Sequence, residues 1–128
     1  MRVLVDTHAL LWWLTDDPAL SPIARRVIAA SSNSVFVSAA SAWEISTKFR
    51  LGKLPGAEDL LADFSGYLAR ERFEPLPISF EHAIEAGLLP GPHKDPFDRV
   101  LAVQSRIQNL PIISNDAVFD SYAVRRLW

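Results

Sequence analysis

The stretch RVLVDTHALLWWL, Arg2 to Leu14, changes its periodicity half-way. Arg2 to Val5 is a short β-branched run that reads as a strand, whereas Thr7 to Leu14 has the apolar density of a buried helix. A strand running straight into a helix is one β-α step, with Asp6 at the junction. The step recurs down the chain. SVFVS, Ser34 to Ser38, reads as a second strand. From Ser38 the pattern turns helical, with Ala42, Ile45 and Phe49 on one stripe, and Gly52, Pro55 and Gly56 stop it.

The segments between follow the same grammar. Ser21 as N-cap with Pro22 at the first helical position opens a helix through Ile23, Val27 and Ile28. Glu58 to Arg70 reads as one further helix. FEPLPI, Phe73 to Ile78, is strand-like but carries two prolines, which places it at an edge of a sheet. Ser79 caps a helix to about Leu89, and LPGPHKDP, Leu89 to Pro96, is the clearest loop in the chain. A helix from Pro96 to about Asn109 precedes the strand PIIS, Pro111 to Ser114. A helical turn from Ala117 and an edge strand in VRRLW complete the pattern. Strands alternating with helices imply parallel pairing and right-handed crossovers. The expected fold is therefore α/β, a three-layer α/β/α sandwich around a mostly parallel sheet of four to five strands, in a single domain over residues 1–128.

Composition narrows the function classes. With 128 residues, 49% hydrophobic and 22% charged, the chain can bury a sizeable core without covalent help. It has no cysteine, which removes disulfide frameworks, thiolate metal sites and cysteine nucleophiles together. The longest early apolar run, Ala9 to Leu14, is too short for a signal core or a membrane span, so a cytoplasmic, membrane-free protein is expected. A net charge of −2 gives no global attraction for nucleic acid, and any phosphate binding must be local.

In doubly wound sheets ligands gather beyond the C-terminal ends of the strands. Four acids fall there. Asp6 follows the first strand, Glu44 lies about a turn and a half into the helix after the second, Asp98 is in the first turn of the helix after the long loop, and Asp116 comes two residues after PIIS. Each has an ordinary explanation. Asp95, Pro96 and Asp98 make a good helix start, and Asp6 and Asp116 suit caps. Glu44 can pair with Lys48 one turn later, although such a pair on an exposed face is worth only about 0.3–0.5 kcal/mol. Its neighbours SAASAW are small and apolar, which suggests a half-buried carboxylate in need of a partner. Capping and ligation are compatible, because Asp95 can satisfy the backbone while Asp98 points elsewhere. Carboxylates about 5–7 Å apart repel by roughly 2–3 kcal/mol per pair, a large term in a domain stable by about 5–15 kcal/mol. A divalent cation reverses that sign, and all-oxygen ligation suits Mg²⁺ or Mn²⁺.

VLVDTHALLWWL, SAASAWEISTKFRLGKL, HKDPFDRVLAVQS and LPIISNDAVFDSY resemble, in order and spacing, the motifs of PIN-domain ribonucleases, in particular VapC-type toxins of toxin–antitoxin pairs. The resemblance makes Asp6, Glu44, Asp98 and Asp116 the first to fourth acids of the catalytic, metal-binding set. It places Thr7 and Ser114 as hydroxyls near the metal, with Asn115 as the small polar residue before the last acid. It implies an endoribonuclease dependent on Mg²⁺ or Mn²⁺, acting on RNA, usually homodimeric, and held inactive by a small antitoxin. Lys48 is left with two roles, contacting RNA phosphate or balancing Glu44. His93 and Asp95 stay outside the catalytic list. Two other classes are weaker. A dehalogenase-like phosphatase needs a second aspartate two residues after the first, where this chain has His8, and a binding module that had lost catalysis would lack an acid.

Overall fold

The computed structural model describes residues 1–128. Five parallel strands form one sheet: β1 (Arg2–Val5), β2 (Ser34–Ser38), β3 (Glu74–Leu76), β4 (Ile112–Ile113) and β5 (Arg126–Leu127), in the order β3-β2-β1-β4-β5. The first strand of the sequence is thus the central strand of the sheet. Val3 and Val5 lie opposite Val35 and Val37 on one side, and Leu4 and Val5 lie opposite Ile112 and Ile113 on the other.

Seven α-helices cover the two faces: α1 (Thr7–Leu14), α2 (Pro22–Ala29), α3 (Ala39–Arg50), α4 (Glu58–Ala62), α5 (Phe64–Glu71), α6 (Phe80–Leu88) and α7 (Pro96–Ile107). Alternate side chains of a strand point to opposite faces, and the core divides accordingly. Val3, Val5, Val35, Val37 and Ile113 pack under Leu10, Ala24, Ile28, Leu60 and Leu68 from α1, α2, α4 and α5. Leu4 and Ile112 pack on the reverse face under Ala86, Leu101 and Val103 from α6 and α7, together with Phe119 from the 3₁₀ turn Ala117–Tyr122. Strands buried on both faces are the reason their sequence is continuously apolar. No helix is long and apolar enough to cross a membrane.

Helix starts follow the expected caps. Ser21 accepts from the Ala24 amide at 3.0 Å, Ser38 from Ala40 at 3.0 Å, and Asp95 from the amides of Phe97 and Asp98 at 2.9 and 3.2 Å. Prolines in FEPLPI leave only three residues in strand pairing, at the sheet edge. The helix expected from Glu58 to Arg70 is two helices. Asp63 leaves helical geometry at φ −151°, and its carboxylate accepts from the Gly66 amide at 3.1 Å, so it caps α5 instead of continuing α4. Gly66 is required for this: a Cβ there would meet the Asp63 carboxylate at 2.1 Å. Asp63→Ala is expected to cost about 1 kcal/mol in urea unfolding, and Ile113→Ala, which empties space on a fully buried strand, about 2–5 kcal/mol.

Candidate carboxylate site and its family

β1 ends where its ladder with β4 is still closed, because the Asp6 amide donates to the Ile113 carbonyl at 3.1 Å. That bond holds Asp6 at the centre of the C-terminal edge of the sheet. Its carboxylate caps α1 by accepting from the Ala9 amide at 2.7 Å and is almost wholly buried. Thr7, next along, is buried and donates its hydroxyl to Ser41 of α3 at 2.9 Å. This bond ties the start of α1 to the helix that carries Glu44. Nothing in the sequence singled out Ser41.

Glu44 is buried, and its one ionic partner is the Lys48 ammonium one turn along α3. Its small apolar neighbours imply a half-buried group, and the enclosure goes further than that. The carboxylate is shut in on all sides while the lysine remains partly exposed. Asp98, in the first turn of α7, receives the His93 Nε2 at 3.0 Å. The loop carrying His93 is braced by Arg99, whose guanidinium donates to the carbonyls of Ala86 and His93, each at 3.0 Å, and of Leu89. His93 and Arg99 therefore shape the surroundings of Asp98, and neither stood among the expected site residues. The available signal was their presence in HKDPFDR, on either side of Asp98.

Asp116 is exposed at the rim. Its carboxylate caps the 3₁₀ turn by accepting from Val118 at 3.0 Å, and its amide donates to the buried Ser114 hydroxyl at 3.0 Å. Ser114 in turn neighbours the Asp6 carboxylate and lowers its pKa. Asn115 is exposed between them.

Electrostatics link three of the four acids. Burial raises the Asp6 pKa, and the charge of Glu44 raises it further against the opposing hydrogen bonds of Ser114 and Ala9. Burial likewise pushes Asp98 up to about 6, with Asp95 and Glu44 adding to the rise and His93 opposing it. Glu44 thus repels both aspartates. The basic groups paired with these acids are the Lys48 ammonium and the His93 imidazole, and no three acidic or imidazole side chains surround a common point. In chemistry the donor set fits a hard divalent cation: it is all oxygen, anionic, partly desolvated and mutually repulsive. A cation among Asp6, Glu44 and Asp98 would relieve that repulsion.

The PIN domain family model matches residues 3–125. The chain belongs to the PIN domain family. Among curated proteins, this PIN domain is 38% identical over 58 residues to Ribonuclease VapC16 of Mycobacterium tuberculosis, a match covering 45% of this chain and 41% of that protein. Among solved structures it superposes on a chain of VapBC2 from Rickettsia felis bound to a promoter DNA fragment, with a TM-score of 0.72 at 16% identity, covering 99% and 98% of the two chains. DNA-bound VapBC from Salmonella typhimurium gives 0.71 at 19% identity over 99% and 97%. At these identities the superpositions establish a shared PIN fold.

A raised carboxylate pKa makes ionisation oppose folding. Below pH 3.8 Asp98 is protonated in both states and has no effect. As pH rises through 6 the unfolded chain ionises more readily than the fold, and stability is lost. In metal-free protein, Asp98→Asn should therefore exceed wild type by on the order of 1–2 kcal/mol at pH 7.5, after discounting for solvent screening. The gain should vanish towards pH 4, read as urea midpoints across a pH series.

Proposed function

We propose that the chain is a divalent-metal-dependent endoribonuclease, the toxin of a toxin–antitoxin pair, with its catalytic unit spanning residues 1–128 and working in the cytoplasm. The observation that carries this reading is that the buried Glu44, from a separate segment, raises the pKa of both Asp6 and Asp98 in a PIN-domain fold whose central strand ends at Asp6. Identity to a VapC ribonuclease over 58 residues favours RNA as substrate, and the VapBC complexes among the solved structures favour a small antitoxin as partner.

Asp6 and Asp98 would hold Mg²⁺ or Mn²⁺ directly, with Glu44 and Asp116 acting through water or a second ion. Bound there, the cation supplies charge neutralisation at the scissile phosphate. The protein's own residues do the rest. Ser114, buried between Asp6 and the Asp116 amide, keeps both carboxylates oriented. Thr7 locks α1 to α3 through Ser41, which fixes the separation of Asp6 and Glu44. Asn115 offers an exposed amide to the ligand side of the rim. Glu44 and Asp116 would help orient the attacking water, and Lys48 would either stay on Glu44 or turn to an RNA phosphate when substrate arrives. Its partly exposed position supports that second role.

An RNA panel incubated with Mn²⁺ tests the reading. Asp6→Asn should lower cleavage by roughly 100-fold or more with an unchanged circular dichroism spectrum, and chelation should abolish wild-type cleavage. Ser114→Ala should cost about 10–100-fold. Cleavage by Asp6→Asn at the wild-type rate would refute the assignment.

A further inference from the structure

A depression of about 590 Å³ opens between two segments that carry acids. One wall is Pro92 and His93 of the proline-rich loop before α7, and the other is Val118, Ser121 and Tyr122 of the 3₁₀ turn. His93 meets Asp98 at 3.0 Å, and Asp116 caps the turn, so the depression adjoins the surroundings of both acids. Both walls are pinned. Arg99 gathers the loop carbonyls, and Arg126 grips the turn through a two-point pair with Asp120 at 2.9 and 3.0 Å. Gly91, at φ +119°, brings the loop over the Tyr122 ring, where a Cβ would meet Cε1 at 3.8 Å.

We infer that this depression receives one unpaired nucleobase of the RNA, next to the phosphate held at the carboxylates. The inference rests on the ribonuclease reading and adds a base-recognition subsite to it. The volume falls in the range of small-ligand sites. No lysine, arginine, aspartate or glutamate lines it, and the His93 imidazole is already engaged with Asp98. An anion or a cation therefore finds no counter-charge there. A planar, neutral guest with a polar edge finds partners. The His93 and Tyr122 rings stand 6.3 Å apart and inclined at 55°, two aromatic walls of the kind on which unstacked bases rest.

The Tyr122 hydroxyl is buried and has no hydrogen-bond partner, although Tyr122 lines the depression. Buried hydroxyls are normally satisfied. A base edge carries the donors and acceptors to do so, whereas an aliphatic guest has none. Ser121 donates its hydroxyl to the Val118 carbonyl at 2.6 Å, which leaves its lone pairs to accept from an exocyclic amine.

An NMR titration of the isotope-labelled full chain in chelator tests this, using each nucleoside monophosphate in turn and ribose phosphate as the base-free control. The amides of Gly91, His93, Ser121 and Tyr122 should shift with at least one nucleotide and stay fixed with ribose phosphate. Ser121→Trp, at an exposed position, fills the depression and should remove the shifts. Tyr122→Phe deletes only a hydroxyl that has no partner in the protein, so the melting profile should hold while nucleotide affinity falls about 3–10-fold. A merely structural role for Tyr122 predicts no change in affinity. Equal shifts with ribose phosphate, no shift with any nucleotide, or unaltered affinity in either variant would overturn the inference. Neither metal nor cleavage enters the titration. A chain that binds bases but cuts no RNA supports the pocket and refutes the ribonuclease reading, and a nuclease whose depression ignores bases does the reverse.

Discussion

Glu44 is a buried carboxylate with one nearby lysine, and its charge reaches both Asp6 and Asp98. Such a group is tolerated only where something offsets its desolvation. Lys48 does so in part. The repulsion of the two aspartates remains, and a divalent cation bound at this edge of the sheet would relieve it. The neighbouring structure holds Asp6 and Asp98 within the field of Glu44 in spite of their charge.

That role is spread over main-chain and side-chain bonds. The β1–β4 ladder extends to the Asp6 amide, the Thr7–Ser41 bond couples α1 to α3, and Asp6, Asp95 and Asp116 each cap a helical segment through a backbone amide. Capping would not compete with ligation. A carboxylate that uses one oxygen to start a helix has the other held in a known direction. Arg99 extends the same logic to the proline-rich loop, whose carbonyls it gathers so that His93 meets Asp98.

The α6 face and the carboxylate site are joined through α3 and α7. Trp43 meets Phe97 edge to face and is itself exposed, while Glu44 is buried one residue further along α3.

Much of this architecture was legible along the chain. Strand and helix periods, caps at Ser21, Ser38 and Asp95, the prolines of the edge strand and the positions of the four acids are local, short-range facts. The α4–α5 break was not, because Asp63 satisfies a helix pattern as readily as it caps a new helix, and only the bond to Gly66 decides between them. Also invisible were the full enclosure of Glu44, the His93–Asp98 contact, Ser41 under Thr7 and the apolar outer face of α6. Phe80, Ile84 and Leu88 look like core positions in sequence, since periodicity reports that a helix has an apolar face and not which way it turns. The sequence by itself determined the order of elements and which acids stand at strand ends, because dihedral preferences and caps act over a few residues. Tertiary structure alone decided which of those acids share a field and which apolar side meets water, because both depend on distances between segments far apart along the chain.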